Sequence, residues 1–316
     1  MKRKKPPKKA DLSRADFLKL VGGAGIALAA AHGTPARAAA AGPIVRKIPK
    51  TGEPLPVIGL GTWQAFDIGN DAGERAPRRD VLRVLIEGGG KVVDSSPMYG
   101  SAEAVVGDLL ADIGRRRDVF IATKVWTSGK DSGIRQMQAS AAKFKSPVID
   151  LMQVHNLKDA ATHLATLKTW KAEGRVRYIG ITHYTSSALA DLMRVMEREP
   201  VDFVQLAYSI GIREPEQRIL AMAQDKGVAV LVNRPFEAGD MFGRVRGKQL
   251  PAWAAEFDCQ SWGQFFLKYV VAHPAVTCAI PGTSKPSHMA DNLGAGRGRL
   301  PDPAMRRKMA EFWDRL

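Results

Sequence analysis

From Ile44 onward, short runs of β-branched residues alternate with longer stretches whose apolar positions recur at helical spacing. This alternation predicts parallel βαβ units. Eight strands are expected, at residues 57–61, 91–95, 119–123, 150–154, 176–181, 203–206, 228–232 and 276–281. Most are apolar without interruption, as strands covered on both faces are. Helical periodicity falls between them, for example at 79–87, 102–113, 160–171, 187–197 and 216–225, with Gly88, Gly114, Gly174 and Gly227 after helix ends. Eight such units fit a closed (β/α)8 TIM barrel better than an open sheet. Ahead of the first strand, residues 44–48 and 55–57 flank Lys50-Thr51-Gly52-Glu53, an N-terminal β-hairpin expected to plug the barrel bottom. No longer repeat and no Pro- or Gly-rich linker divides the body, so residues 41–316 are read as one domain.

The first 40 residues break the pattern. Lys2 to Lys9 form a basic tract, residues 20–31 are apolar and rich in Gly and Ala, and Ala36-Arg37-Ala38 follows with small side chains, the order of an export signal. Ser13-Arg14-Ala15-Asp16-Phe17-Leu18-Lys19 resembles a bacterial twin-arginine signal in which Ala15 stands at the second arginine. A periplasmic location is therefore expected, with the cytoplasm as the alternative. The apolar run is shorter than the roughly 20 residues that a bilayer-crossing helix needs, so no integral membrane protein is read.

Charge and composition narrow the picture further. Hydrophobic residues at 45% and charged residues at 25% exclude a chain that is disordered throughout or collagen-like. Cys259 and Cys278 allow at most one disulfide, so no bridged framework holds the fold. The net charge of +15 is partly terminal: the first 38 residues hold nine Lys or Arg and two Asp, which leaves 38 basic and 30 acidic residues in the body. Zinc-finger spacing and aromatic-interleaved basic stripes are missing from that body, so no nucleic-acid partner is expected and the residual charge suits an anionic cofactor.

Candidate chemistry sits just after the apolar runs, where barrels of this kind keep it. Trp63, Asp94, Tyr99, Lys124, Trp126, His155, Asn156, His183, Gln205 and Arg234 form a polar and aromatic ring there. A phenol with a pKa near 10 is a poor acid unless a neighbouring charge lowers that value. Lys124 can supply the charge, Asp94 can keep Lys124 ionised, and His155 can hydrogen-bond a carbonyl oxygen and orient the substrate. Such a group polarises a C=O for hydride attack, and the hydride must come from a nicotinamide, because no side chain provides one. Trp63, Met98 and Trp126 are the expected walls of the substrate pocket. No metal site is read.

Asp94-Ser95-Ser96-Pro97-Met98-Tyr99-Gly100 followed by Glu103, together with Gly59-Leu60-Gly61-Thr62-Trp63, Thr123-Lys124-Val125-Trp126 and Ile149-Asp150-Leu151-Met152-Gln153-Val154-His155-Asn156, resembles the aldo-keto reductase family over about residues 44–292. The resemblance implies the TIM barrel, a carbonyl reductase with Tyr99 as acid, Lys124 and Asp94 tuning it and His155 orienting substrate, and NADPH as cofactor, with NADH as the second option. It also implies that Thr182, His183 and Gln205 hold the nicotinamide amide, His183 standing where the family has Asn. Arg234-Pro235-Phe236 occupies the place of the usual ring-stacking Tyr. Thr283, Ser284, Lys285, His288, Asp291 and Asn292 resemble the segment that grips the adenosine phosphate and adenine, with Gly282 and His288 in place of two usual cations. The short tail after Asn292 implies an open pocket. Two alternatives stand beside this: a Schiff-base lyase using Lys124, and a cofactor-sensing protein that does not turn over. Oligomeric state is not legible.

Overall fold

The computed structural model describes residues 42–316, so the signal-like segment with Ala15 lies outside the described residues. A hairpin comes first: β1 (Val45–Lys47) runs antiparallel to β2 (Pro54–Pro56), pairing Val45 with Pro56 and Lys47 with Pro54. The remaining elements are β3 (Leu60–Gly61), α1 (Ala72–Glu87), β4 (Val92–Asp94), α2 (Ala102–Asp112), β5 (Phe120–Val125), α3 (Lys130–Lys143), β6 (Ile149–His155), α4 (Ala160–Ala172), β7 (Val176–Thr182), α5 (Leu189–Arg198), β8 (Phe203–Ala207), α6 (Ile219–Asp225), β9 (Ala229–Asn233), α7 (Asp240–Arg244), α8 (Trp262–Val271), β10 (Val276–Ala279), α9 (Pro286–Ala295) and α10 (Pro303–Asp314).

Strands β3 to β10 pair in parallel, each with its chain neighbour, into one eight-stranded sheet. The ends meet: Gly59 N–H donates to Ala279 O at 2.8 Å and Gly61 N–H to Pro281 O at 3.1 Å, with parallel bridges from Ile58 to Ala279 and from Gly61 to Gly282. This seam requires glycine. A Cβ on Gly61 would meet Ile280 O at 2.7 Å, and one on Gly59 would meet Val92 O at 2.8 Å. The eight expected strands are all present with their ends shifted by a few residues, and β3 is the shortest because the seam, rather than a full ladder, completes its pairing.

Two apolar layers follow from the period-2 alternation of each strand. Val92, Phe120, Leu151, Tyr178, Phe203, Ala229, Leu231 and Cys278 point into the lumen, where Ile48 and Leu55 of the hairpin join them as the expected plug. Phe120, Tyr178 and Phe203 form its aromatic floor with centroids 5.5–6.0 Å apart. The alternate residues, such as Val93, Ile121, Met152 and Ile179, face outward against the helices.

Helices α3, α8 and α10 occupy stretches outside the helices read from the pattern. In α8 every residue from Gly263 to Val271 is buried, which erases the one-sided stripe that marks a surface helix. Capping nevertheless fixes where α8 and α10 begin: Ser261 Oγ accepts from Gln264 N–H at 3.0 Å and Asp302 Oδ1 from Met305 N–H at 2.7 Å. The tail helix α10 packs on α8 through Phe312 and Trp313 and is tied down by Arg306, which bonds Glu216 at 2.7 Å and Tyr269 O at 3.1 Å. Among the described residues no helix is long and apolar enough to cross a membrane.

The helical ring is packed closely where α2 passes the end of α3, because a Cβ on Gly107 would run into the Lys143 carbonyl. Gly107→Ala is therefore expected to lower the urea midpoint of unfolding by the equivalent of about 1–3 kcal/mol, in spite of the better helix propensity of alanine. An unchanged midpoint would show that the two helices can separate at no cost.

Candidate active site

The strand alternation that sends apolar side chains into the lower lumen sends polar ones into its upper end. Asp94 follows Val92 on β4, Lys124 follows Ala122 on β5, Gln153 and His155 follow Leu151 on β6, and Gln205 follows Phe203 on β8, all buried. Lys124 Nζ donates to Asp94 Oδ2 at 2.6 Å and to Ser95 O at 2.6 Å. Asp94 Oδ1 accepts from Gln205 Nε2 at 2.8 Å and Gln153 Nε2 at 3.2 Å. One carboxylate thus gathers side chains from three other strands. Gln153 can lie across the lumen because its neighbour is Gly180, where a Cβ would meet Gln153 Cγ at 3.1 Å.

Tyr99 enters from the loop between β4 and α2, with its ring centroid 5.0 Å from Lys124 Nζ. Gly100 makes this loop possible: its φ is +57°, and a Cβ there would strike the Asp67 carboxylate, which accepts from both Ser101 N–H and Oγ at 2.9 Å. Glu103 braces the arrangement from α2, accepting from Thr123 Oγ1 at 2.6 Å beside Lys124.

Electrostatics modify the expectation for the phenol. Burial raises the Tyr99 pKa above its ordinary value of 10, and the opposing pull of Lys124 only moderates that rise. The hydroxyl is thus held protonated rather than driven toward phenolate. Burial lowers the Lys124 pKa, but Asp94 and Tyr99 more than offset this and the net shift is upward. His155 is pushed down to about 3, first by burial and then by Lys124 and His183, so its ring is neutral. Its centroid lies 6.0 Å from Tyr99, edge-on, and 6.5 Å from Trp126. Trp126 is held by Gln136, whose Oε1 accepts from Trp126 N–H at 2.6 Å, and Lys158 Nζ stands 4.8 Å from its ring. Trp63, Met98 and Trp126 are 50%, 41% and 37% exposed. A separate groove of about 370 Å³, lined by Glu53, Lys91, Arg117 and Arg177 among others, lies at the hairpin end and contains none of these residues.

The residues expected at the cofactor divide into two groups. Thr182 and Gln205 adjoin the Asp94–Lys124 cluster, and the Gln205 amide bonds within the lumen. Its Nε2 donates to Asp94 and to Gln153 Oε1 at 3.3 Å, while Oε1 accepts from Thr182 Oγ1 at 3.1 Å and Asn233 Nδ2 at 3.3 Å. Its side chain thereby belongs to the lumen network as well as lying at the strand ends. His183 Nδ1 accepts from Tyr184 N–H at 3.1 Å and Thr185 N–H at 3.3 Å, and its ring stacks on Tyr184 with an 8° interplanar angle. Arg234, at φ +50°, lies 5.9 Å from the Tyr184 ring. Arg234 Nε, a donor, and Asn233 Oδ1, an acceptor, are buried at the end of β9 with no hydrogen-bond partner among the described residues, which fits a polar cofactor there.

Beyond β10, Thr283 is buried and its Oγ1 accepts from Lys285 N–H at 3.1 Å, Ser284 is half-buried, and Lys285 and His288 are exposed at the start of α9. These can meet a phosphate. Asp291 is turned to structure, its carboxylate accepting from Ser261 Oγ at 2.6 Å and Gln264 Nε2 at 2.9 Å, and Asn292 beside it is buried. Gln153, Asn233, Tyr184 and Ser96 were not among the sequence-based candidates. Gln153 shares the inward register of His155, which was a usable signal. Among the described residues no cluster of three or more His, Cys, Asp or Glu is placed to hold a metal.

Comparison with known proteins agrees with this geometry. The aldo/keto reductase family profile matches residues 57–309. The methylglyoxal reductase YeaE of Escherichia coli is 28% identical over 245 residues, covering 75% of this chain and 84% of that protein. An NADH-specific methylglyoxal reductase of the same organism is 24% identical, covering 86% of this chain and all of that one. Among solved structures, an aldo/keto reductase from Klebsiella pneumoniae in complex with NADP and acetate superposes with a TM-score of 0.69 at 23% identity, covering 86% of this chain and 95% of that one. The holo form of the Bacillus halodurans aldo-keto reductase AKR11C1 gives 0.70 at 22% identity, with coverage of 86% and 96%. With its barrel closed, its buried Asp94–Lys124 pair beneath Tyr99 and the family profile spanning most of its length, the chain belongs to the aldo/keto reductase family.

Proposed function

We propose that this protein is an NAD(P)H-dependent carbonyl reductase that converts an aldehyde or ketone to the alcohol, reversibly, with Tyr99 as proton donor. The observation that carries the reading is the buried Lys124–Asp94 pair at 2.6 Å with the Tyr99 ring 5.0 Å from the ammonium and neutral His155 beside it.

A bound nicotinamide supplies the hydride. The protein's own residues do the rest. Trp63, Met98 and Trp126 shelter the apolar part of the substrate. His155 hydrogen-bonds the carbonyl oxygen and, being neutral, orients rather than protonates it. Tyr99, kept protonated by burial, hands its proton to that oxygen as charge develops there, and the Lys124 ammonium stabilises the phenolate that is left. Arg234, Asn233, Thr182, His183 and Gln205 are the groups available to the nicotinamide end, and Thr283, Ser284, Lys285 and His288 to the phosphate end, with Asp291 and Asn292 toward the adenine. NADPH is the expected cofactor, and the NADH-specific relative keeps NADH as the second option. The names of two relatives make methylglyoxal the first carbonyl to assay. Lyase chemistry through Lys124 is disfavoured, because an ammonium locked to Asp94 is not a nucleophile.

Tyr99→Phe is expected to reduce kcat by about 10²–10⁴-fold while NADPH titration, followed by quenching of its fluorescence, gives an unchanged Kd. An unaltered kcat would remove Tyr99 as the acid, and wild-type protein that binds NADPH but reduces no carbonyl in a broad panel would favour the cofactor-sensing alternative.

The pH dependence has a defined sign. With the His155 ring pushed to about 3 and the phenol raised from 10, neither group titrates in the neutral range of the unliganded enzyme. In reduction assays kcat/KM is expected to stay flat from about pH 6 to about pH 9 and to fall only in more alkaline solution as Tyr99 loses its proton. An acid limb with a midpoint at the ordinary histidine value would show instead that His155 ionises.

For location, the basic tract, the Gly-rich apolar run and the twin-arginine-like Ser13–Lys19 segment support export of the folded, cofactor-loaded enzyme. Fractionation of bacteria expressing the full chain is expected to place a shortened protein in the periplasm, and an intact chain confined to the cytoplasm overturns this.

A further inference from the structure

We propose that Ser96 is a positioning residue that fixes His155 in the tautomer carrying its proton on Nε2, so that the ring presents a hydrogen-bond donor to the substrate oxygen. The inference rests on the reductase reading and adds to it the device that sets the histidine.

Ser96 lies on the loop after β4, three residues before Tyr99, and is fully buried. Its Oγ stands 3.0 Å from His155 Nδ1 and accepts from Met98 N–H at 3.3 Å. A hydroxyl has one proton to give and two lone pairs to offer. Nδ1 is the one acceptor that the described residues place within reach of that proton. If Nδ1 carried the ring hydrogen, Oγ would accept twice and its own proton would be buried without an acceptor. If Nδ1 is bare, the Met98 amide, the Ser96 hydroxyl and the ring nitrogen are all satisfied together.

The second arrangement places the ring hydrogen on Nε2, for which the described residues supply no partner. That nitrogen is the one left for a substrate, on a ring flanked by Tyr99 and Trp126. The neutrality of the ring fits this role, since a neutral imidazole donates a hydrogen bond but is too weak an acid to replace Tyr99. Tyr99 N–H also donates to Ser96 O at 3.0 Å. The loop that carries the proton donor therefore also aims the second hydrogen bond at the same oxygen.

The test combines nitrogen NMR of histidine-labelled protein with kinetics on Ser96→Ala and Ser96→Thr, each first confirmed to be folded by its thermal transition. Wild type is expected to show His155 protonated at Nε2 and bare at Nδ1. Ser96→Ala is expected to populate the Nδ1-protonated form, with kcat/KM for the carbonyl reduced by about two- to tenfold, the range expected for loss of a neutral hydrogen bond, and with an unchanged Kd for NADPH. Ser96→Thr, which keeps the hydroxyl, is expected to restore both the tautomer and the rate. A wild-type spectrum with the hydrogen on Nδ1 overturns the proposal even if neither variant folds, as does a Ser96→Ala variant with unaltered tautomer and rate. Failure here is distinguishable from failure of the reductase reading, because Tyr99→Phe tests that reading without reference to the histidine spectrum.

Discussion

A positive charge placed in the middle of a barrel needs a partner, and the pairing of Lys124 with Asp94 meets that need. Lys124 has no exposure at all, and an ammonium so buried is stable only when its charge is balanced and its protons are bonded. Asp94 and the Ser95 carbonyl do both at 2.6 Å. The carboxylate in turn accepts from Gln153 and Gln205, and through Gln205 it reaches Thr182 and Asn233. Side chains of β4, β5, β6, β7, β8 and β9 are thereby joined in one polar layer. The Asp94–Lys124 pair at its centre is fully bonded, and removal of one partner of a buried pair generally costs about 3–5 kcal/mol.

The barrel separates stability from chemistry by depth. Its lower lumen is filled by Phe120, Phe203, the ring of Tyr178 and the hairpin residues Ile48 and Leu55, which are held by close packing. Tyr178 spans the two regimes at the bottom, with its ring in the aromatic floor and its hydroxyl on Glu53 at 2.6 Å. Further along β4, β5, β6 and β8 the same inward register delivers Asp94, Lys124, Gln153 and Gln205. The polar layer rests on an incompressible base, and the loops above it, carrying Tyr99, Trp63 and Trp126, can remain open to substrate without loosening the charges below.

How much of this the sequence disclosed follows the same division. Strands covered on both faces advertise themselves as apolar runs, so the eight-fold pattern was legible, and polar residues that interrupt such runs at their ends pointed directly to Asp94, Lys124 and His155. What was not legible depends on distance across the lumen. Gln205 has the chemistry to hold an amide, and only the fold reveals that its Nε2 also meets Asp94, far away in sequence. Ser96 looks like a loop serine until His155 is placed beside it. The phenol is the clearest example: residue identity shows that Lys124 can acidify Tyr99, but the balance between that charge and the burial of the ring is a property of the folded environment, and burial is the larger of the two.

The segment after β10 brings barrel closure close to the side chains proposed for the cofactor. Gly282, which stands where a cation was expected, forms the bridge to Gly61 that closes the sheet. A Cβ there would sit 3.3 Å from Gly61 O, so a longer residue needs the seam to yield by a few tenths of an ångström. The missing charge at this position is thus a packing matter as much as an electrostatic one. On the proposed reading, affinity for a phosphate would draw on the Thr283 and Ser284 hydroxyls, the exposed Lys285 and His288 side chains and the backbone N–H groups at the start of α9. Such a hydroxyl-rich grip would discriminate less sharply between one phosphate and none than two fixed cations would, because hydroxyls can bond neutral and charged oxygens alike whereas a fixed cation favours charge.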